Sequence, residues 1–148
     1  MSDKNTIKFE IVTPEKVVLK KLVIQVSVPT KEGEITVLPN HIPLVAGLMP
    51  GIIEITKKEN GQREVMSVSG GFIEVLKNKV VILADTAERA EEINIDRAEE
   101  ARKRAKEIKK GIRHFDRERF VNISAQMAKE LARTKAVKRW KKLNNINN

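Results

Sequence analysis

Few side chains in this 148-residue chain have the types and spacing that bond chemistry requires. Its two histidines, His41 and His114, stand far apart, and neither belongs to a metal-ligand pattern such as His-Glu-x-x-His. Cysteine is absent, which excludes thiolate nucleophiles, thiolate metal sites and disulfides. Ser67 and Ser69 have no general base beside them in sequence. Gly70-Gly71 lacks the further glycines and the lysine of a phosphate-binding loop, so it reads as a strand junction. No catalytic residue and no metal site is expected, and the function should lie in binding, transmission or regulation.

Charge is the remaining signal. The net charge of +9 is unevenly placed: residues 1–87 carry 11 basic and 10 acidic groups, residues 88–100 carry 2 and 6, and residues 101–148 carry 16 and 4. The tail alone is cationic. It suits an anionic partner (nucleic acid, an acidic protein segment, a lipid face or a phosphorylated ligand), or it is a solvated helix face. No run approaches the roughly 20 apolar residues of a membrane span, and the first eight residues lack an apolar signal core. A soluble intracellular protein is the expectation.

Two kinds of element must carry these groups. From Ile7 to Leu83 apolar residues recur at every second position between frequent turn signals, the pattern of half-buried strands. Ile7 to Ile11, Lys16 to Leu19, Leu22 to Val28, Ile35 to Leu38, Leu44 to Ala46, Gly51 to Thr56, Val65 to Val68, Phe72 to Leu76 and Val80 to Leu83 read as eight or nine short strands of a sandwich or flattened barrel. Leu22, Ile24, Val26 and Val28 share one expected face, and Asn60-Gly61 is a hairpin signal because both residues tolerate positive φ. Ile52-Ile53, Phe72-Ile73 and Val80 to Leu83 are apolar on both faces, so the outer face meets either a partner or the chain's own helices.

The period changes across Ala84 to Ala98. Asn94 is a good N-cap with Asp96 in the first turn, and Ile95, Ala98, Ala101, Ala105, Ile108 and Ile112 form a helical stripe ending near Gly111. Glu99 with Lys103 and Glu100 with Arg104 stand at i,i+4. A second helix carries Val121, Ala125, Ala128, Ala132, Ala136, Trp140 and Leu143 on one side. Alanine stripes bury little area each, so the hairpin should be separable from the strands. The expected architecture is α+β: a β-sandwich head over residues 1–88 and an antiparallel two-helix tail over 89–148.

Three stretches carry a family resemblance across nearly the whole chain. Gly33 to Pro43 reads Gly-Glu-Ile-Thr-Val-Leu-Pro-Asn-His-Ile-Pro, Val68 to Val75 reads Val-Ser-Gly-Gly-Phe-Ile-Glu-Val, and Ile82 to Ala87 reads Ile-Leu-Ala-Asp-Thr-Ala. With the alanine-rich hairpin after them, they resemble the epsilon subunit of bacterial or plastid F-type ATP synthases. The resemblance implies a head of about ten antiparallel strands and a two-helix tail on the central rotor stalk. It implies partners as well: the gamma subunit, the membrane ring of c subunits and the catalytic alpha and beta subunits. Such a subunit helps couple ion-driven rotation, by protons or sodium, to ATP synthesis, and its mobile tail restrains ATP hydrolysis. Glu34 and His41 match the family positions facing the rotor ring, while Thr36 and Asn40 stand where the family commonly has glycine.

Some bacterial members hold ATP between the tail helices through an Ile/Leu-Asp-x-x-Arg-Ala motif. The matching positions here are Glu88, Ile93, Arg97, Ala98, Arg104, Lys135 and Arg139, with Asn94 replacing the aspartate and Lys135 an arginine. ATP is thus the regulatory ligand that the resemblance suggests, and it implies no other cofactor. It also implies a peripheral position on the cytoplasmic side of a cell membrane, or on a plastid thylakoid membrane. The lack of a transit-like leader favours bacterial or plastid-encoded synthesis. Composition alone permits one rival, a basic nucleic-acid-binding protein, but the tail offers only Phe115, Phe120 and Trp140 for stacking and contains no recognised reader motif.

Overall fold

The computed structural model describes residues 4–113 and 116–145, so His114 and Phe115 lie outside the described residues. Nine strands come first: β1 (Ile7–Val12), β2 (Val17–Thr30), β3 (Gly33–Val37), β4 (Leu44–Leu48), β5 (Gly51–Lys57), β6 (Arg63–Val68), β7 (Gly71–Leu76), β8 (Lys79–Ala84) and β9 (Ala87–Arg89). A 3-10 turn at Ala90–Glu92 leads into α1 (Ile95–Lys110) and α2 (Arg117–Leu143).

All nine strands belong to one hydrogen-bonded sheet that folds over into two layers, because β2 serves both. Its first half pairs with β1, and its second half lies between β3 and β5. One layer runs β3-β2-β5-β6-β9 and the other β4-β7-β8-β1-β2. The pairs are antiparallel apart from β1 with β8, which is parallel. The stretches Lys16 to Leu19 and Leu22 to Val28, which read as two strands, are one; no glycine or proline interrupts them. The short β9 was not legible, since Ala-Glu-Arg carries no apolar alternation.

The expected single face of Leu22, Ile24, Val26 and Val28 is corrected by an irregularity. The β2–β5 register slips between Val23 and Gln25, and a one-residue slip exchanges the faces. Leu19 and Val23 point inward before it and Val26 and Val28 after it, leaving Leu22 and Ile24 exposed. The Asn60-Gly61 turn differs too. Gly61 alone takes positive φ (+67°), inside a longer loop in which the Asn60 side-chain oxygen accepts from the Gln62 amide at 3.0 Å.

Between the layers lies the main core, including Phe9, Ile11, Val26, Ile53, Ile55, Met66, Ile73 and Ile82. Gly71 has φ +130° and lies against the Leu83 carbonyl, where any Cβ would collide with backbone. That contact explains the strand junction at Gly70-Gly71.

The first helix starts where its sequence suggests, and the second starts at a cap of the same kind. Asn94 accepts from the Arg97 amide at 3.1 Å, and Asp116 from the Arg119 amide at 3.2 Å. Gly111 ends α1 with φ −85°, without using the left-handed region. Lys109 lies 4.6 Å from the centre of the Phe120 ring, joining the two helices near their turn. On α1, Ala98 and Ala105 are buried as expected, but Ile108 is exposed. Neither i,i+4 pair closes; the ion pair within α1 is Lys110 with Glu107. On α2 the expected stripe is only partly right. Ala132 and Ala136 are buried, Val121 and Ala125 are exposed, and Ile123, Glu130, Thr134 and Val137 are buried in addition. This helix has two neighbours, α1 and the β5–β6 surface, so its buried arc widens beyond a single stripe.

Candidate functional site

The two layers present contrasting outer faces. On the first, cross-strand rows run Thr36, Ser27, Glu54, Val65 over β3-β2-β5-β6 and Ile52, Ser67, Glu88 over β5-β6-β9. The second half of α2 lies on this surface. Val65, Ala90, Ile93, Ala136 and Val137 form a small buried cluster with Ile52, Ile95, Trp140 and Leu143 packed against it. Arginine forks flank the cluster. Arg133 donates from Nε and Nη2 to the Glu88 carboxylate at 2.7 and 3.2 Å, and from Nη1 to buried Glu130 at 2.9 Å. Arg139 donates from Nε and Nη2 to Glu54 at 2.9 and 3.3 Å, and Arg63 reaches the same carboxylate at 3.2 Å.

Electrostatics agree with the geometry. For Arg133, burial pulls the pKa down, and the hydrogen bond to Glu130 with the charges of Glu88 and Glu130 outweighs it, leaving the pKa above its ordinary value. The hydrogen bond to Glu54 raises that of Arg139 against a smaller effect of burial, with the charges of Glu54 and Glu34 adding to the rise.

Among the described residues the opposite face carries no helix. Strand register aligns Val12, Leu83, Phe72 and Gly47 in one row across β1-β8-β7-β4, with Glu10, Val81, Glu74 and Val45 in the next. Phe72 is 58% exposed, Leu83 54% and Val45 72%. Three large apolar side chains side by side in water mark a binding surface rather than scatter.

Glu34 is exposed near the start of β3, in a polar crevice shared with Glu54, Arg63 and Arg139. Half-buried His41 lies four residues beyond the end of that strand. Its loop is a tight turn in which the His41 amide donates to the Leu38 carbonyl at 3.2 Å, with Pro39 then Asn40 at φ +64° between them. Asn40 therefore takes the conformation that glycine would take freely, and its side-chain amide donates to the Lys4 carbonyl at 2.9 Å. His41 Nδ1 lies 2.7 Å from the Ile42 carbonyl, to which a protonated Nδ1 donates. No hydrogen bond or ion pair joins Glu34 to His41 among the described residues.

The residues suggested for nucleotide are divided. Ile93 and Ala98 are buried in helix contacts. Glu88 is held by Arg133 and Arg139 by Glu54. Arg97, Arg104 and Lys135 are exposed, with no side-chain hydrogen bond or ion pair among the described residues. Sequence reasoning missed Glu54, Glu130 and Arg133. The available signal was Glu130 and Arg133 at i,i+3, with Arg139 six residues on.

Fold and faces together define a β-sandwich binding module with a basic helical hairpin laid on one side. Known proteins supply the particular family. Residues 6–90 match the family model for "ATP synthase, Delta/Epsilon chain, beta-sandwich domain". The ATP synthase epsilon chain of Chloroflexus aggregans is 54% identical over 99 residues, covering 67% of this chain and 70% of that one. That of Carboxydothermus hydrogenoformans is 50% identical over 107 residues, covering 72% and 77%. The chain belongs to the ATP synthase epsilon-chain family. A chain in the cryo-EM structure of the Euglena gracilis mitochondrial ATP synthase (OSCP/F1/c-ring) matches with a TM-score of 0.76 at 24% identity, over 90% of this chain and 82% of that one. Another, in the central stalk/c-ring structure from Tetrahymena thermophila, matches with a TM-score of 0.61 at 18% identity, over 92% and 99%. At such identities these two show the shared fold. No helix among the described residues is long and apolar enough to cross a membrane, and nothing in these comparisons favours a nucleic-acid binder.

Proposed function

We propose that this epsilon chain works as a non-catalytic subunit of the rotor stalk. The adjacent pair Leu83 and Phe72 carries the reading, since both are large apolar side chains left exposed by the described chain. In this reading the face holds the gamma subunit, and the Glu34 and His41 segments meet the ring of c subunits. The subunit then sits peripherally on the cytoplasmic side of the membrane. The cationic hairpin, when it leaves the head, pairs with acidic parts of the catalytic subunits and slows ATP hydrolysis. Arg97, Arg104 and Lys135, exposed and unpaired, are the groups that would meet the phosphates of a regulatory ATP.

Co-purification with gamma tests the first part. Wild type should be retained and Phe72→Asp with Leu83→Asp lost; equal retention overturns the assignment of the face. Truncation before Ile93 should speed ATP hydrolysis by the assembled enzyme, and an unchanged rate removes the braking role. Calorimetry with Mg-ATP tests the ligand: no heat at millimolar nucleotide removes ATP from the reading.

A further inference from the structure

We infer that the tail carries its own electrostatic latch: the Arg133–Glu88 and Arg139–Glu54 forks seat the helices on the head without any bound nucleotide, and their strength sets how often the tail is free. The consequence for hydrolysis rests on the braking role proposed above, whereas the seating is a property of the isolated chain.

The argument begins with how little apolar surface holds the tail. The sandwich core counts eighteen buried residues and the helix–head cluster five, two of them alanines, so burial alone gives the seat a small share of the molecule's cohesion. The forks stand at either side of that cluster. Six residues separate Arg133 from Arg139, a rise of about 9 Å along the helix. Their partners Glu88 and Glu54 sit on β9 and β5, two strands or about 9.6 Å apart across the sheet and offset by two residues along it. The two arginines stand about 120° apart around the helix, one on each side of its buried arc, so the seated helix reaches both carboxylates at once, and a slide of one turn would lose both.

Each fork is two-pronged, the geometry in which arginine differs most from lysine. The arginine side chains are only 19% and 32% exposed, so salt screens them less than it screens a surface pair. Glu130 fixes Arg133 from within α2 and Arg63 fixes Glu54 from within the head, so both partners are oriented before they meet. Glu88 and Arg139 are also two of the positions that the family resemblance assigns to nucleotide. In the seated tail both are already bound by the chain itself, and a nucleotide using them would have to open the forks.

The chain supplies its own probe. Trp140 is the sole tryptophan and lies half-buried against the head, lining a crevice with Lys21, Lys57 and Val65. Its emission and acrylamide quenching should be followed in the full, isolated chain. In nucleotide-free buffer at low salt Trp140 should be shielded, and millimolar Mg-ATP should leave it so. Glu54→Gln and Glu88→Gln should each raise the released fraction about fivefold, as losing about 1 kcal/mol does, with red-shifted emission and stronger quenching. Arg139→Gln tests the same contact while leaving the head sequence intact, and a circular-dichroism melt shows that the sandwich stays folded. Lys106→Gln removes an equal charge from the exposed side of α1, outside the forks, and should change nothing. Two results overturn the latch: Trp140 open in wild type until Mg-ATP is added, or Trp140 equally shielded in all three fork variants. Neither depends on gamma binding, so a failed latch and a failed stalk assignment give different signatures.

Discussion

The two outer faces of the sandwich start from the same strand pattern and end differently. Ile52 and Val65 on one side, and Phe72 and Leu83 on the other, are outward apolar residues on central strands. The first pair is covered by α2 and the second lies in water. Ion pairing with the tail distinguishes the faces. Glu54 and Glu88 stand where the cationic tail can meet them, and the tail lies there. On the uncovered face the row Val12, Leu83, Phe72 and Gly47 carries no charge, and Glu10 and Glu74 in the next row make no ion pair with the described tail. Both faces carry carboxylates, and it is the pairing of Glu54 and Glu88 with the tail that marks the apolar face the chain covers for itself.

If both faces depend on one core, damage to that core should remove both. Phe9→Ala, at a fully buried site, should cost about 3–5 kcal/mol, lowering the melting temperature and abolishing both gamma retention and Trp140 shielding. Survival of either face would show that the layers fold separately. A smaller effect should separate the faces. Phe72→Ala should weaken partner binding by about 2 kcal/mol, or roughly thirtyfold, while the isolated chain melts within about 0.5 kcal/mol of wild type. The same substitution should leave Trp140 shielded. Val137→Ala should do the reverse, costing about 1 kcal/mol of seating and leaving gamma retention unchanged, as read by acrylamide quenching and co-purification.

Much of this contrast was legible in the sequence, for reasons that also explain what was not. Period-two runs between turn residues mark the strands because each buries one face, and Asn94 marks the start of α1 through its own capping bond. The doubly apolar segments announced two covered faces without saying what covers them, since alternation encodes burial and not the identity of the neighbour. The inward set of β2 was misassigned because the slip between Val23 and Gln25 is a backbone event with no glycine to announce it. The stripe of α2 was half misread because a helix held from two sides buries Thr134 and Glu130 along with its alanines. The positions that the resemblance assigns to nucleotide were legible as residue types. Their commitment to Glu54 and Arg133 depends on partners 85 and 45 residues away in sequence, which no local pattern carries.

The smallest expected effect concerns pH. Both fork arginines have pKa values raised above the ordinary one, and a cation raised on folding adds stability that is complete below its ordinary value and fades only as pH climbs through the higher folded value. The ordinary value for arginine already exceeds about 12, so this window lies beyond working buffers. From about pH 7 to pH 9.5 the Trp140 emission of wild type should therefore stay constant. Arg139→Lys moves the window within reach, because lysine titrates near 10.4 and holds Glu54 as a point charge without the fork. Its tail should be looser at neutral pH and loosen again as pH rises past about 10.4. A shift of wild-type Trp140 between pH 7 and 9.5 would trace the seat to some other titrating group, and the covered face would then owe its cover to something besides its two carboxylates.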